Sequence, residues 1–596
     1  MHLHDAKNRI DAGADQLRPQ LSVADSAIRH IRFDLSQLLT EHEDTLPQNA
    51  AELMQTTVRR VYWNRLQRKF DTPAAVITAI KDDKVNGETP TVFIPHNDLT
   101  ALRIWQLLQE ETADIMRFTI EMLPQEIEDK TATRLGRMPG LLSMAHDGKD
   151  TLLPYHVPGA RFNELYGWDS YFMGLGLLED GNTEGVRNIL THQKYQIRHF
   201  NMIINAPRPY YIRRGQPPLF PSLLRTYYKA LPDDEKPEPE WMQEAIQAAI
   251  HEYRSVWTDA HHSTPTGLTR YYESAKGIPM ETEKGHFDSI FHIHAKAAGM
   301  ELREYQAAYL RNEIQNAELD DFFAHDRAGR ASGHDTTNRL VGRAAHLNPA
   351  DLNALLYKYE TDIADLLEQH CGGELAGWNS ETERADEWRN AAEKRKNRMT
   401  EILWDNEVGM FVDYDFKQNR QVRYHNATGL YPLWAGLATK EQADSIVRYL
   451  LPKLEQAGGL AASDEESRGE VNVQRPLRQW DFPFGWAPHQ MLAWEGLEKY
   501  GYHTESQRLI YKWLHMILSE ALKYNGAIAE KYDVVTCSQD IEAEYGNVGS
   551  KVDMKVGAGF GWTNASYQKG YALLDPQYKE ALQALLPPDA VFAAHV

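Results

Sequence analysis

The sequence predicts an all-α fold in which helical hairpins present a site at one end, preceded by an N-terminal extension. Two observations carry this. Helical periodicity dominates from about residue 140 onward. The links between the periodic stretches are longer than a simple bundle needs, and they hold most of the Gly, Pro, Trp and charged residues. That is the pattern of loops that build a site on a helical scaffold.

Taken in order, residues 1 to about 20 are polar and predict disorder or loose helix. From Ala27 the pattern turns helical, with Ile28, Ile31, Leu35 and Leu38 at three- and four-residue steps. Ala51 to Arg68 predicts another helix, with Val61, Tyr62 and Leu66 on one side. The run Thr91-Val-Phe-Ile-Pro95 suggests a strand, and Ile115 to Leu123 a second, although short apolar runs do not separate strand from helix. The chain thus divides into an extension over 1–90, a connecting segment over 91–140 and a main helical domain over 141–596.

Within that domain Trp241, Ala245, Ile246, Ala249, Ile250, Tyr253 and Val256 form a continuous apolar stripe. Asn348-Pro349 starts a helix whose inner face is Leu352, Leu355, Leu356, Tyr359, Ile363 and Leu366, and Gly372-Gly373 ends it. Further helices are predicted near 168–180, 184–199, 384–403, 440–455, 485–499, 503–522 and 562–573. Two links stand out. Gly458 to Pro476 is polar. Cys537 to Gly561 is glycine-rich, holds Glu542, Glu544 and Tyr545, and reads as either a lid over a ligand or an ordinary exposed loop.

Composition narrows the function classes. A net charge of -21 over 596 residues argues against a nucleic-acid backbone or an anionic membrane as partner. Two distant cysteines, Cys371 and Cys537, exclude a disulfide framework and a Cys-based zinc site. The start of the chain lacks the apolar core of a secretion signal, and no stretch approaches the ~20 apolar residues of a membrane span. The expectation is a cytoplasmic protein acting on a neutral small molecule.

The residues that could carry chemistry gather in a few short runs. Arg330-Ala-Ser-Gly-His-Asp-Thr-Thr-Asn-Arg339 puts Asp335 in a polar turn between helical segments. An isolated Asp there is ordinarily a helix cap. Three other runs repeat its mixture of Trp, Tyr, Arg and carboxylates: Pro158 to Tyr171, with Arg161, Trp168 and Asp169; Gln479 to Pro488, with Trp480, Asp481 and Trp486; and Glu530-Lys-Tyr-Asp533. Between them, Asn205 to Pro218 carries Asn205, Arg208, Arg214 and Gln216. Aromatic faces stack on sugar C–H surfaces while Arg, Asn, Gln and carboxylates take up hydroxyls. Glycosidic cleavage needs two carboxyl groups, one to protonate the leaving oxygen and one to activate water or attack carbon. The set reads as a sugar-hydrolysing site. His292-Ile-His294 and His261-His262 lack an accompanying acidic helix motif, so no metal is expected. Gly557-Ala-Gly-Phe-Gly561 has the wrong spacing for a dinucleotide site, and there is no P-loop and no Gly-x-Ser-x-Gly elbow, so no cofactor is expected.

These residues resemble the α,α-trehalases, most closely the neutral trehalases of fungi, over about Thr91 to Pro588. Pro158 to Tyr171 is similar to one family signature, with Ala160 in place of the usual second glycine, and Gln479 to Pro488 to the other. Gly333-His-Asp-Thr-Thr337, Gly277-Ile-Pro-Met-Glu281, Glu530-Lys-Tyr-Asp533 and Glu542-Ala-Glu-Tyr-Gly546 look neutral-trehalase-like. The resemblance implies a six-hairpin (α/α)6 toroid with its site at the barrel mouth. It implies cofactor-free hydrolysis of trehalose to two glucose molecules with inversion, Asp335 as general acid and Glu530 as general base. It places Arg161, Trp168, Asp169, Asn205, Arg214, Gly215, Gln216, Glu281, Arg330, Gly333 and Glu544 on sugar-contacting positions, and Trp480 and Trp486 join them from the residue reading. An inverting pair leaves room for water, so the carboxyl groups are expected ~6.5–9.5 Å apart.

The chain departs from the family in places. Gly215 replaces a usual serine, Pro207 and Pro209 flank Arg208, and Met280 stands where fungal relatives have proline. No Asp-x-Asp-x-Asp-Gly calcium loop is present in the sequence. Rival readings are an inverting α-glucosidase on another disaccharide, a sugar-binding relative that lost catalysis, and a phosphorylase. Retention of both Asp335 and Glu530 disfavours the second, and retention of Glu530, where a phosphorylase would have a phosphate pocket, disfavours the third.

Overall fold

A computed structural model describes residues 14–82, 89–282, 285–472, 475–542 and 558–592. The chain opens with helix α1 (Ala14–Leu39) and α2 (Ala50–Thr57), which Asn49 caps by accepting from the Glu52 amide at 2.9 Å. α2 runs on through a π-helical turn, Val58–Tyr62, into Trp63–Leu66. The connecting segment contributes a parallel three-stranded sheet ordered β2 (Thr119–Met122), β1 (Thr91–Ile94), β3 (Gly140–Leu142). Every residue of β1 is buried, as a central parallel strand requires.

The main helices follow: α3 (Asp169–Glu179), α4 (Thr183–Phe200), α5 (Phe220–Ala230), α6 (Pro239–Glu252), α7 (Ala317–Ala331), α8 (Ala350–Cys371) and α9 (Ala385–Ile402). After them come α10 (Tyr431–Ala435), α11 (Lys440–Tyr449), α12 (Ala487–Lys499), α13 (His503–Lys523) and α14 (Gly561–Leu573). Six of them close an inner ring: α3 packs on α5, α5 on α8, α8 on α10, α10 on α12, α12 on α14 and α14 back on α3. This is the (α/α)6 toroid. Inner helices are buried nearly all round, so they carry small residues where neighbours approach. At Gly176 of α3 an added Cβ would lie 2.5 Å from the Ala565 Cα of α14. That contact requires glycine.

α4, α6, α9, α11 and α13 alternate with the inner helices along the chain. The sequence boundary at residue 90 marks no break in packing. α2 and its continuation lie against α13 and α14, and Leu35, Trp63, Leu175 and Leu514 belong to one hydrophobic cluster. The buried Asp180 carboxylate, just past α3, accepts from Arg59 Nε at 2.9 Å, Trp63 Nε1 at 2.7 Å and Gln568 Nε2 at 2.6 Å. No helix among the described residues is long and apolar enough to cross a membrane.

The predicted helices near 168–180, 184–199, 384–403, 485–499, 503–522 and 562–573 are all present. The 440–455 prediction divides into α11 and Leu451–Leu454. The Trp241–Val256 stripe runs through α6 into a second π-helical turn, Tyr253–Trp257. The reading missed α5, α7, α10 and the pair Asp288–Ala298 and Leu302–Leu310. That pair packs on α7 around its own apolar cluster of Phe287, Phe291, Tyr305, Tyr309, Leu319 and Phe323.

Candidate active site

Asp335 stands on the turn that leaves α7. Asn316 caps the start of that helix, and Ser332 caps its end. Gly333 then takes φ +75, and a Cβ there would meet the Trp168 indole at 2.7 Å. Only glycine permits both the turn and the aromatic contact. The loop beyond Asp335 is pinned by Asp481, which accepts from Thr337 Oγ1 at 2.6 Å, from the Asn338 amide at 2.8 Å and from Tyr424 Oη at 2.8 Å. Gln479 donates to the Asp335 carbonyl, and the Trp480 amide to that of Thr336 at 3.1 Å. Asp481, grouped by sequence with the sugar-site residues, therefore anchors the acidic turn from behind.

The same signature run places Glu530. Strand Phe484–Trp486 pairs antiparallel with Lys531–Asp533, Trp486 opposite Lys531. The fully buried Lys531 ammonium lies 2.8 Å from the Glu530 carboxylate and 4.9 Å from the Trp486 ring centre. The Glu530 carbonyl accepts from Trp562 Nε1 at 3.0 Å. Two segments far apart in sequence thus form one rigid strand pair.

Asp335 and Glu530 line one cavity of about 390 Å³, in the range of small-molecule sites. Arg161, Trp168, Asp169, Asn205, Arg214, Gln216, Glu281, Arg330, Gly333, Trp480 and Trp486 line it too. Trp480 and Trp486 stack face to face at 3.8 Å, and Trp168 and Trp562 meet Trp480 at 5.7 and 6.2 Å. Gln216 accepts from the Trp168 amide at 2.8 Å, and the Asn205 amide donates to the Arg214 carbonyl at 2.7 Å, which fixes the loops carrying these groups.

Three residues singled out in the sequence lie off the cavity lining. Gly215 does not line the cavity; its backbone bridges Ile204 beside it. Arg208 is fully buried and spent on structure. Its guanidinium donates to the Ile80, Lys81 and Gly140 carbonyls and to Glu164, stitching the extension to the wall of the site. Met280 lines a second, neighbouring cavity. Glu544, with most of the proposed lid, lies outside the described residues. Sequence reasoning missed Lys81, Asp82, Glu164, Tyr166, Phe560 and Trp562, all of which line the cavity. Phe560 stands at the N-cap of α14, at the end of the glycine-rich run, and Trp562 stands in the first turn of that helix.

Charge is distributed unevenly around the cavity. Burial above all pushes Asp335 up to about 7; Arg330 and Arg214 pull it back and Glu281 pushes it further. The Asp335 side chain keeps 39% of its surface open, but that surface faces the cavity deep within the protein. Water in the cavity moderates the shift, so its upward direction carries the argument. Asp169 is pushed up to about 8, first by burial and then by the Glu530 and Asp335 charges. Burial opposes ionisation of Glu281 as well, but Arg214 and Arg330 overcome it and hold Glu281 down to about 2. Arg330 Nη1 stands 3.7 Å from Asp335 Oδ2, and its Nε donates to Asp326 at 2.8 Å. Beneath Asp335, burial lowers His334 to about 3, so its ring, 3.1 Å from His489, adds no charge beside the acid.

Among the described residues one group, Asp321, His325 and His346, brings three metal-type ligands together, and none of them lines the cavity. His325 Nδ1 accepts from the Ala345 amide at 3.2 Å, which puts the ring proton on Nε2, the nitrogen facing Asp321. That tautomer has no lone pair to spare for an ion.

A family model for trehalase matches residues 36–575. The chain is 40% identical to a cytosolic neutral trehalase of Saccharomyces cerevisiae over 97% of its length and 78% of the relative's. It is 38% identical to a cytosolic neutral trehalase of Kluyveromyces lactis, over 94% of this chain and 76% of the relative. The solved structure of neutral trehalase Nth1 from Saccharomyces cerevisiae superposes with a TM-score of 0.85 at 39% identity, covering 92% of this chain and 98% of that one. A helical toroid whose mouth holds carboxylates, arginines and stacked indoles, with these matches along nearly its whole length, belongs to the trehalase family, glycoside hydrolases that split trehalose.

Proposed function

We propose that this trehalase works by single displacement with inversion, Asp335 as the general acid and Glu530 as the general base. The observation that supports it is the placing of two carboxyl groups, Asp335 and Glu530, on one aromatic-walled cavity. Asp335 is raised by burial to about 7 and so carries a proton near neutrality. Glu530 lines the same cavity and stands 2.8 Å from the buried Lys531 ammonium. Asp335 would protonate the oxygen bridging the two glucose units. Glu530 would take a proton from water on the far face of the departing ring, which requires ~6.5–9.5 Å between the carboxyl groups. Arg161, Asn205, Arg214, Gln216, Glu281 and Arg330 would hold hydroxyls, and Trp168, Trp480 and Trp486 would shape the apolar walls. The reaction needs no metal or cofactor.

Asp169 is raised further than Asp335, so acidity alone does not choose between them. The choice of Asp335 follows its place in the trehalase-like Gly-His-Asp-Thr-Thr turn. α-Glucosyl fluoride separates the roles, because fluoride leaves with little acid assistance. Asp335→Asn should lose trehalose hydrolysis yet keep much of its fluoride hydrolysis, whereas Glu530→Gln should lose both. If Asp335→Asn still splits trehalose, the assignment fails. The cytosolic names of the matched relatives support a cytoplasmic location.

A further inference from the structure

Behind the polar wall of the cavity runs an ion-pair chain whose inner members do not line the site. Glu273 is buried, and one of its oxygens accepts from Arg214 Nε at 2.5 Å. Its other oxygen accepts from Arg327 Nη1. Arg327 is fastened to backbone, Nε to the Gly277 carbonyl at 3.1 Å and Nη2 to that of Lys276 at 3.3 Å. Arg214 gives Nη1 to Glu281, while its buried Nη2 has no hydrogen-bond partner among the described residues.

A guanidinium is a rigid plane with donors in fixed directions. Contacts at Nε and Nη1 together set that plane, and Nη2 is the donor left over for a ligand. Glu281 alone cannot do this, because a single carboxylate lets the fork swing about one contact. The guanidinium groups of Arg214, Arg327 and Arg330 are interleaved with the carboxylates of Glu273, Glu281 and Asp326. Removing Glu273 would free Arg214 Nε and bring two guanidinium groups together unshielded.

We infer that Glu273, held by Arg327, is a positioning residue of this enzyme: it sets the plane of Arg214 and thereby presents Arg214 to a substrate hydroxyl. This rests on the reading of Arg214 as a substrate contact. Neither Glu273 nor Arg327 lines the active-site cavity, so their influence passes through Arg214.

The test is a double-mutant cycle of Glu273→Gln and Arg214→Lys, with kcat and KM for trehalose measured per folded enzyme. Glu273→Gln alone is expected to lower kcat/KM about a hundredfold, the loss typical of a ~1 Å misplacement. In the Arg214→Lys background it should change kcat/KM by less than about threefold, because residues acting through one group are not additive. Glu273→Asp, which restores the charge one methylene short, should recover part of the loss. If Glu273→Gln does not fold, Arg327→Lys is read in the same cycle, since it keeps the charge and removes the fork. A merely structural role predicts a lower melting temperature with kcat and KM of the folded enzyme unchanged, and that overturns the inference. Equal losses in both backgrounds also overturn it. If Arg214→Lys itself keeps wild-type kcat/KM, the reading of Arg214 as a substrate contact fails first.

Discussion

Replacing Asp169 by Asn should stabilise the protein at alkaline pH and not at acid pH. Asp169 is 94% shielded and its carboxyl is raised from the ordinary 3.8 to about 8. Between those values the folded chain binds a proton that the unfolded chain has released, so stability falls as pH rises through this window. Four pH units at about 1.4 kcal/mol each set a ceiling of roughly 6 kcal/mol. Part of the shift comes from Glu530 and Asp335 and is shared with them, and the cavity admits water, so about 2 kcal/mol at pH 8.5 is the expected penalty. Asn has no charge to bury. Urea midpoints of the two proteins at pH 4.5, 6.5 and 8.5 give the comparison, with the variant's advantage growing across the series. An advantage equal at all three values, or a less stable variant at pH 8.5, would refute the claim that the site stores destabilising charge.

Two further outcomes follow from neighbouring residues. Arg208→Met should cost ~3–5 kcal/mol of stability, because it leaves the Glu164 carboxylate and three carbonyls without their partner. Thermal melting checks this; a direct sugar contact would instead raise KM with the melting temperature unchanged. Arg330→Gln should move the alkaline limb of kcat/KM to higher pH, even as the maximum falls. Arg330 holds Asp335 down, an acid catalyst is lost as pH rises through its pKa, and removing the cation raises that pKa. A limb that stays in place or moves down contradicts it.

How much of this was legible in the sequence varied with the kind of signal. α8 was readable to within a residue or two, because Asn348-Pro349 opens it, its apolar positions repeat every three or four residues, and Gly372 at φ 65 closes it. α5 was not: two prolines precede it and Pro221 sits in its first turn, so the stretch read as a link. The pair Asp288–Ala298 and Leu302–Leu310 packs on a satellite cluster beside the ring, so it interrupts the spacing of the hairpins and hides the regular plan. The site was legible where chemistry demanded unusual company, as in the runs around Asp335, Trp480 and Glu530. It was illegible where a residue acts through distant partners. Arg208 and Asp481 look like sugar contacts in their own segments, and only the tertiary fold turns them into braces. The membership of Leu35 and Trp63 in the main core was equally hidden, since no local pattern says which surface a helix will cover.

The central claim is inverting hydrolysis by Asp335 and Glu530, and proton NMR of the first glucose released from α,α-trehalose tests it most directly. With EDTA present, before mutarotation intervenes, inversion gives α- and β-glucose in equal amounts, because the attacked ring inverts and the departing ring keeps its configuration. Asp335→Asn should abolish both signals. Release of α-glucose alone, or undiminished release by the variant, would contradict the account.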